Sequence, residues 1–303
     1  MTLGPATKAN PAVHRTGSPV TAQALLSYFD WASVERVVIL SPHLDDAALS
    51  CGGLLHALRD KVSTLVVSIS CGTVRIAAAD GSFKVSSRKG HVSARTRRRE
   101  DIEAMHSVDT DFVHLSFPDG IYRRSPLTGR LIYRNARETW IAPRIDDMGH
   151  IEELYLVLRR LCLDLGRILL LSPMGIGHHV DHQIAAQVAV RMAATNAGAE
   201  LLFYEDFPYV ADPRVGRGDP DDPPKALRRL GLDPAQRFVL PVDTEAKVRL
   251  LQHYASQVAS LFGDDDGMRQ CVTSHMHEGQ PCELYWQAQP IHPPTQKEKT
   301  HAA

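Results

Sequence analysis

The chain has 303 residues, 44% of them hydrophobic, and a formal net charge of -1. That length buries a sizeable core and suits one large domain. The near-zero charge lacks the basic excess with which nucleic-acid binders and anionic-membrane binders attract their partners. The five cysteines, Cys51, Cys71, Cys162, Cys271 and Cys282, form no C-x-x-C pair, and their odd number fits reduced thiols better than a disulfide framework.

Residues 1–20 have no apolar run behind a basic start, so they read as neither a signal peptide nor a membrane span; a cytoplasmic location without membrane insertion is expected. This segment and residues 289–303 are polar, without hydrophobic period, and are expected to be flexible tails around one domain over 21–288. Within that domain, Arg36-Val-Val-Ile-Leu40 and residues 63–70 are short apolar runs of the kind that form buried strands. Residues 46–59, with Leu49, Leu54, Leu55 and Leu58, read as a helix, as do 94–106, 151–165 and 180 to about 195. Further strands are expected at 112–115, 167–171, 201–204 and 238–241. The alternation predicts an α/β fold, a Rossmann-like three-layer sandwich with a mainly parallel sheet and ligand loops at the strand C-terminal ends. Three stretches interrupt it, near 71–90, 119–147 and 208–236; the first two are expected to be lids or binding loops, the third irregular.

Two motifs concentrate the chemistry. The first, Ser41-Pro-His-Leu-Asp-Asp46, stands where the opening strand gives way to a helix, the place where open α/β sheets bind ligands. A helix cap needs one Asp. His43, Asp45 and Asp46 together gather charge whose burial is costly unless something positive sits among them. The second motif, Gly177-His-His-Val-Asp-His182, follows the strand at 167–171 and opens another helix, so both lie at one edge of the sheet. His179 and His182, three apart at a helix start, face the same way.

His43, Asp46 and His182 supply two imidazoles and one carboxylate, the set that leaves a coordination position open on a catalytic zinc. One Zn2+ per chain is expected, with other divalent metals able to substitute. Such an ion lowers the pKa of bound water from about 15.7 to roughly 7 and polarises a carbonyl. Asp45, beside a ligand but not needed as one, is placed to take the water's proton. His179 would stabilise charge on the carbonyl oxygen or protonate the leaving amine, and Asp181 would hydrogen-bond an imidazole and fix its tautomer. The expected chemistry is amide or ester hydrolysis of a small partner. Two alternatives stand beside it. Two His and one carboxylate also serve non-haem iron oxygenases, although that triad usually sits on jelly-roll strands; a non-catalytic sugar-binding protein would not need Asp45.

The motifs resemble those of the PIG-L/LmbE family of zinc N-deacetylases. His43-Leu44-Asp45-Asp46 is similar to the family's opening H-P-D-D-type motif and His179-Val180-Asp181-His182 to its H-x-D-H. Cys51-Gly52-Gly53 resembles its C-G-G, and Arg97-Arg98-Arg99-Glu100 with Ala104 its R-x-x-E-x-x-x-A helix, all in order over about 35–260. The resemblance implies zinc on His43, Asp46 and His182, Asp45 as base, and an N-acylated amino sugar or glycoconjugate as substrate, typically one containing N-acetylglucosamine, in natural-product or thiol-cofactor biosynthesis. In the family's register Arg97 lies near the substrate. Ala47 stands where many members have Glu, and Tyr204-Glu-Asp-Phe-Pro-Tyr209 looks like the branch found beside natural-product glycosylation enzymes.

Several other residues have two readings. Asp119, in Phe117-Pro-Asp-Gly120, either contacts sugar hydroxyls or shapes a turn. Tyr122, Tyr133 and Trp140 either stack on a sugar or anchor a loop. Arg95, Arg98 and Arg99 read as a solvated helix face, His178 as a loop neighbour of its motif, and Cys51 as core. His275, His277, Cys271 and Cys282 match no established zinc spacing.

Overall fold

The computed structural model describes residues 22–73, 92–211 and 222–291, and, between the first two segments, the backbone of two short strands. In chain order the first half reads β1 (Ala22–Ala24), α1 (Leu25–Tyr28), β2 (Arg36–Ser41), α2 (Asp46–Leu58), β3 (Thr64–Ser68), β4 (Arg75–Ala77), β5 (Phe83–Val85), α3 (Ala94–Ser107) and β6 (Asp111–His114). There follow α4 (Met148–Cys162), β7 (Ile168–Pro173), α5 (Val180–Thr195), β8 (Ala199–Tyr204), α6 (Pro223–Arg229) and β9 (Leu232–Pro241). The chain then forms α7 (Thr244–Leu251), α8 (Ala255–Leu261), α9 (Asp265–Ser274), β10 (Met276–His277) and β11 (Gln280–Pro290).

The main sheet has the order β1-β9-β11-β8-β7-β2-β3-β6, with β10 paired to β11, and β4 and β5 form a separate hairpin. The block β8-β7-β2-β3-β6 is parallel throughout. β11 runs antiparallel to both β8 and β9. Along β2, Val37 and Ile39 enter a core shared with α2, α3 and α7, while Val38 and Leu40 enter one shared with α4 and α5. A strand covered on both faces has no polar face to display, which is why β2 reads as an unbroken apolar run. Helices on both faces give the three layers expected.

From β2 the chain steps outward to β3 and β6, then returns to place β7 on the other flank of β2. Such a reversal opens a crevice beyond the strands' carboxyl ends. Both histidine motifs leave those two strands and therefore meet there.

The third interruption needs correcting. Residues 208–236, expected to be irregular, include α6, whose start is set by Asp222 accepting from Lys225 N and by Pro223 in the first turn; the beginning of β9 follows. The expected C-terminal tail starts late, because β11 continues to Pro290. Residues 1–21, 212–221 and 292–303 lie outside the described residues, as do 74, 78–82 and 86–90 of the 71–90 interruption, whose remainder includes β4 and β5. The 119–147 interruption is packed rather than loose, with 3-10 turns at Gly120–Tyr122, Ala136–Thr139 and Ile145–Asp147. Tyr133 is buried at its centre and donates to Asp147 Oδ2 (2.5 Å), so it anchors the loop. Among the described residues no helix is long and apolar enough to cross a membrane.

Candidate functional site

The exit of β2 is shaped by Ser41, whose hydroxyl accepts from Ala47 N (2.9 Å) and donates to His43 O (2.5 Å). That leaves both acids of the first motif free of capping: Asp45 makes no cap hydrogen bond. Asp46 Oδ2 accepts from His43 N (2.7 Å) and also lies 3.2 Å from His43 Nδ1 and 3.2 Å from His182 Nε2. Two loops from different strands thus converge on one carboxylate oxygen. Asp45 turns the other way, and Arg97 Nη2 donates to its Oδ1 at 2.6 Å. Arg97, expected beside the substrate, is placed against Asp45.

In the second motif His179 caps α5, its Nδ1 accepting from Asp181 N (3.3 Å), which leaves the proton on Nε2. His182 donates from Nδ1 to Asp206 Oδ1 (2.6 Å), and the other Asp206 oxygen accepts from Met174 N and Ile176 N, both at 3.0 Å. In the neutral ring, the form a metal would bind, the proton on Nδ1 leaves the lone pair on His182 Nε2, an atom buried without a hydrogen-bond partner among the described residues. A buried polar atom left so costs about 1–3 kcal/mol, a cost that a cation would remove. Asp181 Oδ2 lies 3.2 Å from His43 Nε2 and accepts its proton, which turns the His43 Nδ1 lone pair toward Asp46. The expected contact of Asp181 with an imidazole is therefore present, to His43.

Burial opposes charge throughout the site, and neighbours decide the sign. Burial would raise Asp46, yet His182 and His43 hold it well below the usual carboxylate range. Burial would lower His182, but Asp46 and Asp206 push it up to about 9. His43 follows the same pattern, lowered by burial and raised further by its bonds to Asp181 and Asp46. Imidazoles that attract protons this strongly beside carboxylate oxygens make a site where a metal cation can replace those protons. His179 behaves oppositely: burial, then the charge of His43, holds it well below the ordinary imidazole value, so it stays neutral. Burial raises Asp45 against the opposing pull of Arg97.

The ring nitrogens of His43, His179 and His182 lie within 4.8 Å of one another, as do the ligand atoms of His43, Asp119, His179 and Asp181. Asp119 shapes its own turn, accepting from Ile121 N (3.1 Å), and its Oδ2 lies 3.8 Å from His43 Nε2. Trp140 stands edge-on to His179, with 5.0 Å between ring centroids, and edge-on to Tyr209 at 5.4 Å. Tyr209 in turn stands edge-on to His182 at 5.6 Å.

The PIG-L family model, described as GlcNAc-PI de-N-acetylase, matches residues 38–193, from within β2 almost to the end of α5. The chain belongs to the PIG-L family. Its PIG-L relatives include the 2'-N-acetylparomamine deacetylase of Streptomyces fradiae, 31% identical over 251 residues that cover 81% of this chain and 80% of that one. The enzyme of the same name from Niallia circulans is 32% identical over 247 residues, covering 75% and 82%. Among solved structures, the zinc-inhibited form of teicoplanin deacetylase has the same fold, with a TM-score of 0.67 and 21% identity across 86% of this chain and 100% of that one. As a PIG-L protein this chain is a hydrolytic N-deacetylase, which removes the oxygenase and non-catalytic alternatives.

Three PIG-L site neighbours escape the sequence reading. Asp206 was signalled by an acidic pair, Glu205-Asp206, directly after β8, where a strand end faces the crevice. Tyr209 closes the Tyr204–Tyr209 segment already likened to a family branch, though without a role, and Arg123 had no local signal, since its contacts are made across the fold. His275 faces Glu205 at 3.9 Å, and neither His275, His277, Cys271 nor Cys282 joins a metal-holding group among the described residues.

Proposed function

We propose that the chain hydrolyses the N-acetyl amide of an amino sugar in a natural-product glycoconjugate, with zinc held by His43, Asp46 and His182. The observation that carries the metal reading is the buried, unpartnered Nε2 of His182, 3.2 Å from an Asp46 oxygen that also faces His43 Nδ1. Asp46 rather than His179 is the third ligand, because His179 Nδ1 is engaged with Asp181 N and its Nε2 carries hydrogen. Two nitrogens and one oxygen suit zinc, with other divalent ions able to replace it. The substrate class is supported by the two relatives named for deacetylating 2'-N-acetylparomamine.

A zinc ion bound there supplies a Lewis acid that activates water and polarises the amide carbonyl. Asp45 takes the water's proton: burial raises its proton affinity, while Arg97 at 2.6 Å keeps the carboxylate form accessible and aims it. Neutral His179 donates its Nε2 proton in a hydrogen bond to the carbonyl oxygen as charge builds on it. The proton on Asp45 then passes to the departing amine. Asp181 and Asp206 hold the rings of His43 and His182 in single tautomers. Asp119 and the Trp140 edge border the approach, where a sugar ring would lie.

The test is acetate release from 2'-N-acetylparomamine and from N-acetylglucosaminyl conjugates, followed by mass spectrometry. Release should stop on chelation and return with zinc. Asp45→Asn should lower turnover by about 10²- to 10⁴-fold while leaving bound zinc unchanged. Acetate release that survives both chelation and Asp45→Asn would refute the proposal.

A further inference from the structure

We infer that Arg123, in the insertion between β6 and α4, is a positioning residue for the metal site, acting through Asp181. The inference rests on the metal reading above. Arg123 is buried, and its guanidinium bridges two buried carboxylates: Nε donates to Asp147 Oδ1 at 2.6 Å and Nη1 to Asp181 Oδ1 at 2.5 Å. The second Asp181 oxygen accepts from Gly120 N (2.9 Å) and from His43 Nε2 (3.2 Å). The insertion therefore grips both oxygens of the carboxylate that orients a proposed ligand.

The far end of the grip is equally fixed. Asp147 Oδ2 accepts from Tyr133 Oη (2.5 Å) and from Arg144 N (2.8 Å). A continuous relay, Tyr133 to Asp147 to Arg123 to Asp181 to His43, thus runs from the core of the insertion to the imidazole ring. Gly120 keeps the two segments flush, since a Cβ there would stand 2.9 Å from Val180 Cγ1 and 3.4 Å from Asp181 Oδ1.

A planar guanidinium presents fixed donors in divergent directions, whereas an ammonium is a single point charge on a flexible stem. Only the former can hold Asp147 and Asp181 together at these distances. A carboxylate pinned at Oδ1 offers Oδ2 to His43 in one direction, which keeps the His43 proton on Nε2 and its lone pair on Nδ1. Releasing Asp181 frees the ring to change tautomer or swing away from Asp46. The same insertion brings Trp140 to His179, so the wall facing the substrate and the orientation of a ligand are mechanically joined.

The test compares wild type, Arg123→Gln and Arg123→Lys, each verified as folded by near-UV circular dichroism. Zinc affinity is read by competition with a chromophoric chelator, and kcat and KM at saturating zinc. Arg123→Gln should weaken zinc binding by at least about tenfold and lower kcat with KM nearly unchanged; Arg123→Lys should recover part of both. A merely structural salt bridge would lower the melting temperature alone, so folded Arg123→Gln with wild-type zinc affinity and kcat overturns the inference. Should Arg123→Gln fail to fold, Arg123→Lys decides: a several-fold loss of zinc affinity supports the relay and an unchanged affinity overturns it. Failure of the metal reading itself is seen separately, as a wild type that takes no zinc or a His182→Ala variant that binds it as tightly, and the inference then falls with it.

Discussion

Asp206→Asn changes one atom and tests the tautomer argument directly. The carboxylate serves two masters: Oδ1 accepts from His182 Nδ1, and Oδ2 accepts from Met174 N and Ile176 N. An amide of the same shape can accept on one side only. If its oxygen stays with the two backbone groups, its NH2 meets His182 Nδ1 and drives the ring proton to Nε2, the atom proposed to bind metal. If the oxygen turns to His182, two buried N–H donors face an NH2 group, at about 1–3 kcal/mol each. Both outcomes weaken zinc. Changes at such outer partners typically lower metal affinity by about 10- to 100-fold, or about 1.4–2.7 kcal/mol. The assay is chelator competition together with thermal unfolding with and without zinc. Each tenfold loss should shrink the zinc-induced rise in melting temperature by about 2–3 °C. Wild-type zinc affinity in folded Asp206→Asn would refute the assignment of His182 Nε2 as a ligand atom.

Two further outcomes are expected. Trp140→Ala removes the ring that stands edge-on to His179 and Tyr209; steady-state kinetics should show KM raised by about 5- to 30-fold with kcat within a few-fold, the loss of an aromatic contact of about 1–2 kcal/mol. A fall in kcat alone would instead mean that the ring holds His179. Glu283→Gln leaves Lys247 buried without its charge partner at 2.7 Å and disturbs acceptance from Gly53 N, Leu54 N and Tyr285 Oη. Breaking a buried pair costs about 3–5 kcal/mol, so the melting temperature should drop by roughly 5–10 °C; a melt that does not move counts against the network.

The parallel block was legible because its strands are buried on both faces and its helices are long and periodic. Val37 to Leu40, and Ile168 to Leu171, have no polar alternate, and α5 begins and ends within the expected stretch. β11 was missed for a physical reason: it is an interior strand that carries Glu283, a buried charge satisfied by Lys247 and by the N–H groups of Gly53 and Leu54, so its apolar pattern is broken where it is most enclosed. The helices α6, α7 and α9 are short, and their caps, Asp222, Asp243 and Asp264, sit in stretches that read equally well as loop, the first two beside proline and the third in a Gly-Asp-Asp-Asp-Gly run. At the site, residues within one motif were readable from their spacing, as His43 with Asp46 and His179 with His182. Residues that act by reaching across the fold were not. Arg97 belongs to a basic helical run from which only the family register singles it out, and that register did not show its contact with Asp45. Arg123 sits beside Arg124, and Asp206 beside Glu205, with nothing local to say which of each pair reaches the imidazoles until tertiary structure does so.

The reversal of winding between β2 and β7 has a consequence for when the proposed metal site can form. His43 and Asp181 are 138 positions apart, and Asp206 follows His182 by another 24. A growing polypeptide therefore has no finished cage until β8 has emerged and joined its neighbours. An ion held by the proposed ligands would be taken up late, and would tie together the two ends of a long excursion whose closure the chain has already achieved. Occupancy of that site would then report that β2, β7 and β8 have come together.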